Sequence, residues 1–389
     1  MNKKSLNVLR IISSMNPQGG GPSQGIRYSI PALKALGVEN EVVCLDSPDA
    51  SYLGQDDFII HVLGAGRGPL HYHPQLIPWL KKHIDQYDTI IIHGLWSFAS
   101  HAVTKVVQQC KKQGLAVPKV YVMPHGMLDP WFQRDKSRRL KALRNEIYWR
   151  LIEKKTVNQA DAMLFTCQQE LLLAKETFKQ YRPQQEWNIG YGIANPTAYH
   201  DDMPRPIHSP YWLFLSRIHP KKGVDLLIRA YDKLCAQNSG MPDLVIAGPK
   251  DSDYARQMIE LAESNPKIHF TGMLQGDAKW GALYGCEAFI LPSHQENFGI
   301  AVVEALACSK PVLISDQVNI WREIEEGQGG IIAPDTEEGT YQLLTSFCAM
   351  DSHQKKRMGD KAYQVYQKHF TIQEAADKLK NVLYGKGNP

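Results

Sequence analysis

Two short apolar runs constrain this chain most, residues 288–291 (Ala-Phe-Ile-Leu), closed by Pro292, and residues 311–314 (Pro-Val-Leu-Ile). Uniformly apolar runs of this length read as parallel strands buried on both faces, so the stretch between them predicts a loop and a helix over about residues 299–308. Glu296 then lies in the loop beyond a strand's carboxyl end, where open α/β sheets bind ligands. Glu304 falls just over one turn into the helix, within reach of a hydroxylated group beside that end. Asn297, Phe298 and Gly299 offer backbone N–H groups at a positive helix terminus, suited to a phosphate or a sugar hydroxyl. By spacing alone, two ordinary glutamates on a surface helix remain an open alternative.

The rest of the chain alternates in the same way, as expected of parallel sheets covered on both faces. A strand over 6–13 leads into Met15-Asn16-Pro17-Gln18-Gly19-Gly20-Gly21-Pro22-Ser23, a contiguous glycine loop rather than the spaced dinucleotide fingerprint. Ser23 is placed as the N-cap of a helix reaching residue 36. Further strands are expected near 41–45, 58–63, 89–93, 119–123, 161–166 and 186–190, with a helix over 97–112. Beyond the strand at 119–123 comes His125-Gly126, then Asp129 and Trp131. A lone histidine there is a hydrogen-bonded structural residue or a site residue. Residues 131–155 carry nine Lys or Arg against Asp135, Glu146 and Glu153, a local charge of +6 (9 − 3). Leu140, Leu143, Ile147 and Leu151 recur at helical spacing, which predicts an amphipathic helix with one basic face. That face is either solvated or meets anionic lipid headgroups or a diphosphate-linked acceptor.

Residues 191–210, rich in proline and acidic residues, mark a linker. The second half opens with a strand over 212–216, then Arg217-Ile218-His219-Pro220-Lys221-Lys222-Gly223. A cation just past a strand and a lysine before the glycine that opens a helix suit a diphosphate. Strands near 243–247, 268–271 and 330–333 follow, with helices over about 253–264, 337–350, 355–369 and 372–384.

Composition excludes several classes. The chain has 389 residues and 43% apolar content, enough for two domains. Seven cysteines show no CxxC pair, which fits reduced thiols and a cytoplasmic setting rather than a disulfide or zinc framework. The N-terminus has no small-residue cleavage site and reads as a first strand. No window approaches the roughly 20 apolar residues of a spanning helix. A net charge of +4 is too modest to imply nucleic acid. There is no His or Cys grouping with metal-ligand spacing.

The segment from Phe289 to Ser315 resembles the signature of glycosyltransferase family 4, retaining nucleotide-sugar enzymes. The resemblance implies an α/β, GT-B architecture of two Rossmann-like doubly wound domains facing across a cleft. The expected bounds are an acceptor-side domain at 1–200, a nucleotide-sugar domain at 201–369, and a helix at 370–389 returning to the first. It assigns Glu296 to the donor sugar, Glu304 to the donor ribose, Arg217 and Lys222 to the diphosphate, and His125 to the donor sugar. Gly20 and Gly21 would face the diphosphate, Met273 and Leu274 the base through backbone groups, and Asn297, Phe298 and Gly299 the donor; Asp129 and Trp131 would contact acceptor. One departure is Ser309, where the family usually has glycine in a left-handed helix cap. Pro249 likewise stands where a second glycine is common.

The implied reaction moves a hexose, with UDP-glucose as the prevalent family donor, to a lipid-linked oligosaccharide or polysaccharide in envelope or exopolysaccharide assembly, at the inner face of the membrane. No cofactor or metal is expected, and cations stabilise the departing diphosphate. Other GT-B chemistry, such as an epimerase or phosphorylase, and a non-catalytic nucleotide-sugar-binding subunit stay open; hydrolysis is disfavoured because both glutamates sit on one side. Replacing Glu296 or Lys222 by alanine is expected to abolish transfer with little thermal cost.

Overall fold

The computed structural model describes residues 5–17, 20–238 and 240–386. The basic residues 1–4, and Gln18 and Gly19 of the glycine loop, lie outside them. The chain forms two compact units, Met1–Gly192 with Ile372–Pro389, and Ile193–Thr371.

The first unit runs β1 (Leu6–Ile12), α1 (Gly21–Ala35), β2 (Val38–Cys44), β3 (Ile60–Val62), α2 (Leu76–His83), β4 (Thr89–His93), α3 (Phe98–Lys112) and β5 (Lys119–Met123). It continues through α4 (Trp131–Arg134), α5 (Arg139–Tyr148), a π-helical turn at Trp149–Glu153, α6 (Lys154–Gln159), β6 (Ala162–Phe165), α7 (Gln168–Thr177) and β7 (Glu186–Asn188). All strands pair in parallel, in the order β3-β2-β1-β4-β5-β6-β7. Leu9, Ile11, Ile90, Ile92 and Val122 are fully buried beneath the helices. The order reverses between β1 and β4, a topological switch point whose crevice lies beyond the strands' carboxyl ends.

The second unit runs β8 (Tyr211–Leu215), α8 (Val224–Gln237), β9 (Asp243–Ala247), α9 (Asp253–Ala262), β10 (Ile268–Gly272), α10 (Gly276–Gly285), β11 (Ala288–Leu291), α11 (Ile300–Ala307), β12 (Val312–Ser315), α12 (Trp321–Glu326), β13 (Gly330–Ala333), α13 (Glu337–Cys348) and α14 (Ser352–His369). Its parallel order is β10-β9-β8-β11-β12-β13, with the switch point between β8 and β11. α15 (Ile372–Leu383) belongs to the first unit, where Ala376, Leu379 and Leu383 are buried and the Tyr384 hydroxyl donates to the Gly37 carbonyl at 3.4 Å.

Several expectations shift. The first helix starts at Gly21, with Pro22 in its first turn, and Ser23 is not its N-cap: its hydroxyl donates to the Asn16 and Gly20 carbonyls at 3.0 and 3.2 Å. Proline is pre-organised for that position, so the helix begins before the serine. The units divide at Gly192 and Ile193, ahead of residue 200, because the next residues are already tied to the second unit. Ile193 N–H donates to Phe370 O at 3.0 Å, and Tyr366 donates to Asn195 Oδ1 at 2.8 Å. In the basic segment the apolar stripe does not pack inward. Asn145, Trp149 and Glu153 are buried instead, while Leu140 and Leu151 are 84% and 74% exposed.

Gly223 fixes how α8 meets the sheet. Its φ is +66°, and a Cβ there would overlap the Pro292 carbonyl oxygen. Gly54 has a similar φ of +77° with nothing within 4 Å of a built Cβ. Gly54→Ala is therefore expected to cost only the left-handed backbone penalty, about 1–2 kcal/mol, and Gly223→Ala at least about 1 kcal/mol more through overlap. Urea denaturation of both variants checks this; equal losses would mean the Pro292 contact does not constrain the chain.

Candidate functional site

In the second unit, three loops past the carboxyl ends of β8, β11 and β12 are tied together. Ser293 Oγ and the His294 N–H both donate to the Lys221 carbonyl, at 2.9 and 2.8 Å. Glu296 N–H donates to Gln317 O at 3.0 Å, and Asn319 N–H donates to Glu296 O at 2.9 Å. His294 Nδ1 lies 2.8 Å from Asp335. This lattice brings Lys222, just past β8, onto Glu296, just past β11, as an ion pair across the switch point. Lys222 is 5% exposed. Burial alone would raise the Glu296 pKa, but Lys222, and behind it Lys221, hold the carboxyl below its ordinary value.

Arg217 stands exposed past the end of β8. Glu304 is buried in α11 and bonds Lys279 of α10 at 2.6 Å; burial pushes its pKa up despite the lysine. Gly299 caps α11, and Ser309 adopts φ +59°, the left-handed position expected of it. Asn297 does not offer its N–H outward, since that group donates to Glu296 Oε1 at 3.1 Å, the carboxylate having turned back on its own loop. Phe298 is a packing residue, edge-on to Phe370 with centroids 5.6 Å apart. Met273, 58% exposed, and Leu274 follow β10 directly.

In the first unit, the glycine loop follows β1 and His93 ends β4, so both border the other switch point. Gly20 has φ +99°, and the Gly21 carbonyl accepts from the Tyr191 hydroxyl at 2.6 Å. His125, at φ +52°, places Nε2 2.9 Å from His93 Nδ1, the rings stacked with centroids 5.2 Å apart. Glu170 of α7 accepts from the Gly126 and Thr166 N–H groups and so clamps the His-Gly turn. Arg10 of β1 is buried, with Nε on Asn40 Oδ1 at 2.9 Å. Burial, and then the Arg10 charge, push the His125 pKa down to about 3; His93 is likewise held low by burial. Both rings are therefore neutral near pH 7. Asp129 is buried, and its Oδ1 accepts from the Trp131 N–H at 2.8 Å just ahead of α4. Trp131 is half-buried, with the Arg138 guanidinium 5.7 Å from its ring centroid.

A cavity of about 300 Å3 in this unit is lined by Ser14, Asn16, His71, His93, Trp96, Ser97 and Arg144, among others. Trp96 and His71 sit at φ +60° and +51°, backbone strain of the kind that gathers at functional sites. Trp96 is held there by Glu153, which the π-helical turn carries inward; the carboxylate accepts from the Trp96 N–H at 2.7 Å. Burial pushes the Glu153 pKa up to about 7.

His93, Arg10 and Lys279 were not foreseen. His93-Gly94 repeats the strand-end His-Gly pattern that singled out His125, and Arg10 is a lone cation inside an apolar strand; both were signals. Lys279 carried none. Among the described residues no three His, Cys, Asp or Glu side chains group as a metal site, and no helix is long and apolar enough to cross a membrane.

The buried pair corrects the expectation of a costless alanine at Glu296 or Lys222, because removing either strands its partner. Glu296→Gln or Lys222→Met should each cost about 3 kcal/mol, the low end for a broken buried pair because the Glu296 side chain is partly exposed, and the double variant less than the sum. Additive losses in this double-mutant cycle would contradict the pairing. For His125, the folded pKa lies below the ordinary 6.5, so the folded chain binds fewer protons than the unfolded chain as pH falls from 6.5 toward about 3. Stability is full above 6.5 and declines through that window. His125→Gln should flatten the decline; an unchanged pH profile would refute the buried neutral imidazole.

Two family models match, "Glycosyl transferase 4-like domain" over residues 20–184 and "Glycosyl transferases group 1" over residues 198–365. A D-inositol 3-phosphate glycosyltransferase of Rhodococcus erythropolis is 29% identical over 31% of this chain and 28% of its own length. Sulfoquinovosyl transferase SQD2 of Arabidopsis thaliana is 27% identical over 45% of this chain and 33% of its own. The matches thus span less than half the length of these relatives. Among solved structures, Anabaena HepE in complex with UDP and glucose superposes with a TM-score of 0.73 at 17% identity, over 98% of this chain and 100% of that one. Sucrose-phosphate synthase of Thermosynechococcus elongatus gives 0.69 at 17% identity, covering 98% of each chain. With a parallel Rossmann-like sheet in each unit and a glycosyl transferase model over each half, the chain belongs to the group 1/4-like glycosyltransferase family of GT-B fold.

Proposed function

We propose that the chain transfers a hexose from a nucleoside diphosphate sugar to a hydroxyl, retaining the anomeric configuration and without a metal. The observation that carries this is the Lys222–Glu296 pair at the second unit's switch point, with Arg217 exposed past the end of the same strand that leads to Lys222. A lysine held at low dielectric by a carboxylate is pre-placed for a diphosphate, and its three N–H donors can serve both partners. In this scheme Lys222 and Arg217 stabilise the charge on the departing diphosphate, and Glu296 orients the sugar hydroxyls. Glu304 holds the ribose from α11, and the backbone at Met273 and Leu274 borders the base. Loss of one such charge contact costs about 3 kcal/mol of transition-state stabilisation, on the scale of a lost oxyanion donor.

UDP-glucose is the preferred donor, since a protein of the same fold, Anabaena HepE, is described with it. For the acceptor we assign the first-unit cavity of about 300 Å3, where Trp96 offers an aromatic wall to a sugar face and Arg144 a cation to an anionic group. His93, held neutral by burial, lines this cavity and can exchange one hydrogen bond with a sugar hydroxyl, while His125 behind it keeps the donor-sugar role. A lipid-linked oligosaccharide or growing polysaccharide fits this combination, consistent with envelope or exopolysaccharide assembly on the cytoplasmic side.

A thermal-shift series with UDP, GDP, ADP and their glucose conjugates, with EDTA and with magnesium, tests the donor. A ligand at a hundredfold excess over its Kd stabilises by about 2.7 kcal/mol. The expected result is a rise with UDP and UDP-glucose that EDTA leaves unchanged and Arg217→Ala weakens without altering the ligand-free midpoint. No shift with any nucleotide, or a shift that requires magnesium, would contradict the proposal.

A further inference from the structure

The stripe on the basic segment has no cover. Leu140, Leu143, Ile147 and Leu151 are 84%, 60%, 51% and 74% exposed, and they follow one another at steps of three, four and four residues along a continuous helical run. The inward face of that run is already occupied. Trp149 is buried against Phe178 with stacked rings 4.7 Å apart, its Nε1 donates to Lys179 O at 3.0 Å, and Asn145 and Glu153 are buried on the same side. The helix is therefore docked by one face and presents a second apolar face outward.

Cations surround that outward face. Lys136, Arg139, Lys141 and Lys155 are exposed and make no ion pair among the described residues, whereas Arg134 and Arg150 are matched by Glu176 and Glu146. Of the three acids in the segment, Glu153 is buried inside the unit, and Asp135 accepts from Ser137 N–H at 2.9 Å. Exposed leucines within a basic rim are a poor match for a second copy of themselves, because two such surfaces repel. They match a surface that is apolar in depth and negative at its edge. The stripe runs from Leu140 to Leu151, eleven steps or about 16 Å at 1.5 Å per residue, the proportions of a helix lying in the plane of a headgroup layer.

We infer that this helix docks the protein on an anionic lipid bilayer, with Leu140, Leu143, Ile147 and Leu151 inserted among the acyl chains and the flanking lysines and arginines on the headgroups. Arg144, from the same helix, lines the first unit's cavity of about 300 Å3. Docking by this face sets a wall of that cavity beside the lipid surface, where a lipid-borne hydroxyl substrate would be delivered.

The test uses the full chain in co-sedimentation with phosphatidylglycerol vesicles and with phosphatidylcholine vesicles, at low and at high salt. Binding to phosphatidylglycerol at low salt, with little to phosphatidylcholine, is expected. The double variant Leu140→Ser/Leu151→Ser should bind at least about tenfold more weakly, because two buried side chains are removed from the lipid. Arg139→Glu/Lys141→Glu should likewise weaken binding, and its residual binding should be less salt-sensitive. All four positions are solvent-exposed, and the ligand-free thermal midpoint of each variant reports whether it remains folded. No sedimentation of the wild type with phosphatidylglycerol at low salt overturns the inference, as does a leucine variant that binds like wild type. A wild-type dimer in light scattering that the leucine variant splits would assign the stripe to a second copy and also overturn it. Because the readout is sedimentation, the inference and the donor assignment fail separately.

Discussion

The second unit depends on one ion pair. Lys222 and Glu296 come from loops 74 residues apart in sequence, and they meet because β8 and β11 are neighbours at the switch point of the sheet. A buried pair of this kind is weak as a device for stability, since desolvating both charges offsets much of their attraction. Its value lies in position. The loops that carry it are fastened by hydrogen bonds through Ser293, His294, Gln317 and Asn319, and Gly223 lets α8 begin where no side chain would fit. The result is a cation held in one place at low dielectric by loops that are themselves fastened.

The first unit solves a different problem. Where the second concentrates opposite charges, this one holds two imidazoles uncharged beside a buried guanidinium. Neutral rings discriminate by hydrogen bonding rather than by charge, which suits hydroxyl-rich ligands over anions. The left-handed backbones of Trp96, His71 and His125 are local strain, and the surrounding contacts maintain it. Glu170 clamps the His125 turn and Glu153 holds Trp96, each a buried carboxylate that accepts from backbone N–H groups. The π-helical turn that carries Glu153 inward also holds Leu151, the last residue of the exposed stripe that begins in α5.

Much of the fold was legible because both sheets are parallel and buried on both faces, which leaves short apolar runs closed by glycine or proline. Strands β4, β5, β9, β11 and β13 fall at the residues expected of them. Helix α10 was missed because its glycines, Gly276, Gly281 and Gly285, obscure a helical pattern. The basic segment shows a sharper limit. Periodicity identified which residues share a face, but not which face turns inward; that is decided by Trp149 finding Phe178, a contact between residues remote in sequence. That Arg217 and Lys222 would follow β8 and Glu296 would follow β11, with Glu304 in the next helix, was legible from strand-end placement. That Lys222 and Glu296 would touch was not, because neither loop encodes its neighbour. Lys279 was invisible for the same reason.

The most direct measurement is a crystal structure of the protein with UDP. The account predicts the β-phosphate within hydrogen-bonding distance of Lys222 Nζ and the Arg217 guanidinium, the ribose on Glu304, and the Lys222–Glu296 contact retained or exchanged for phosphate. A nucleotide seated in the first unit, or one that leaves Lys222 and Arg217 without contact to phosphate, would contradict it.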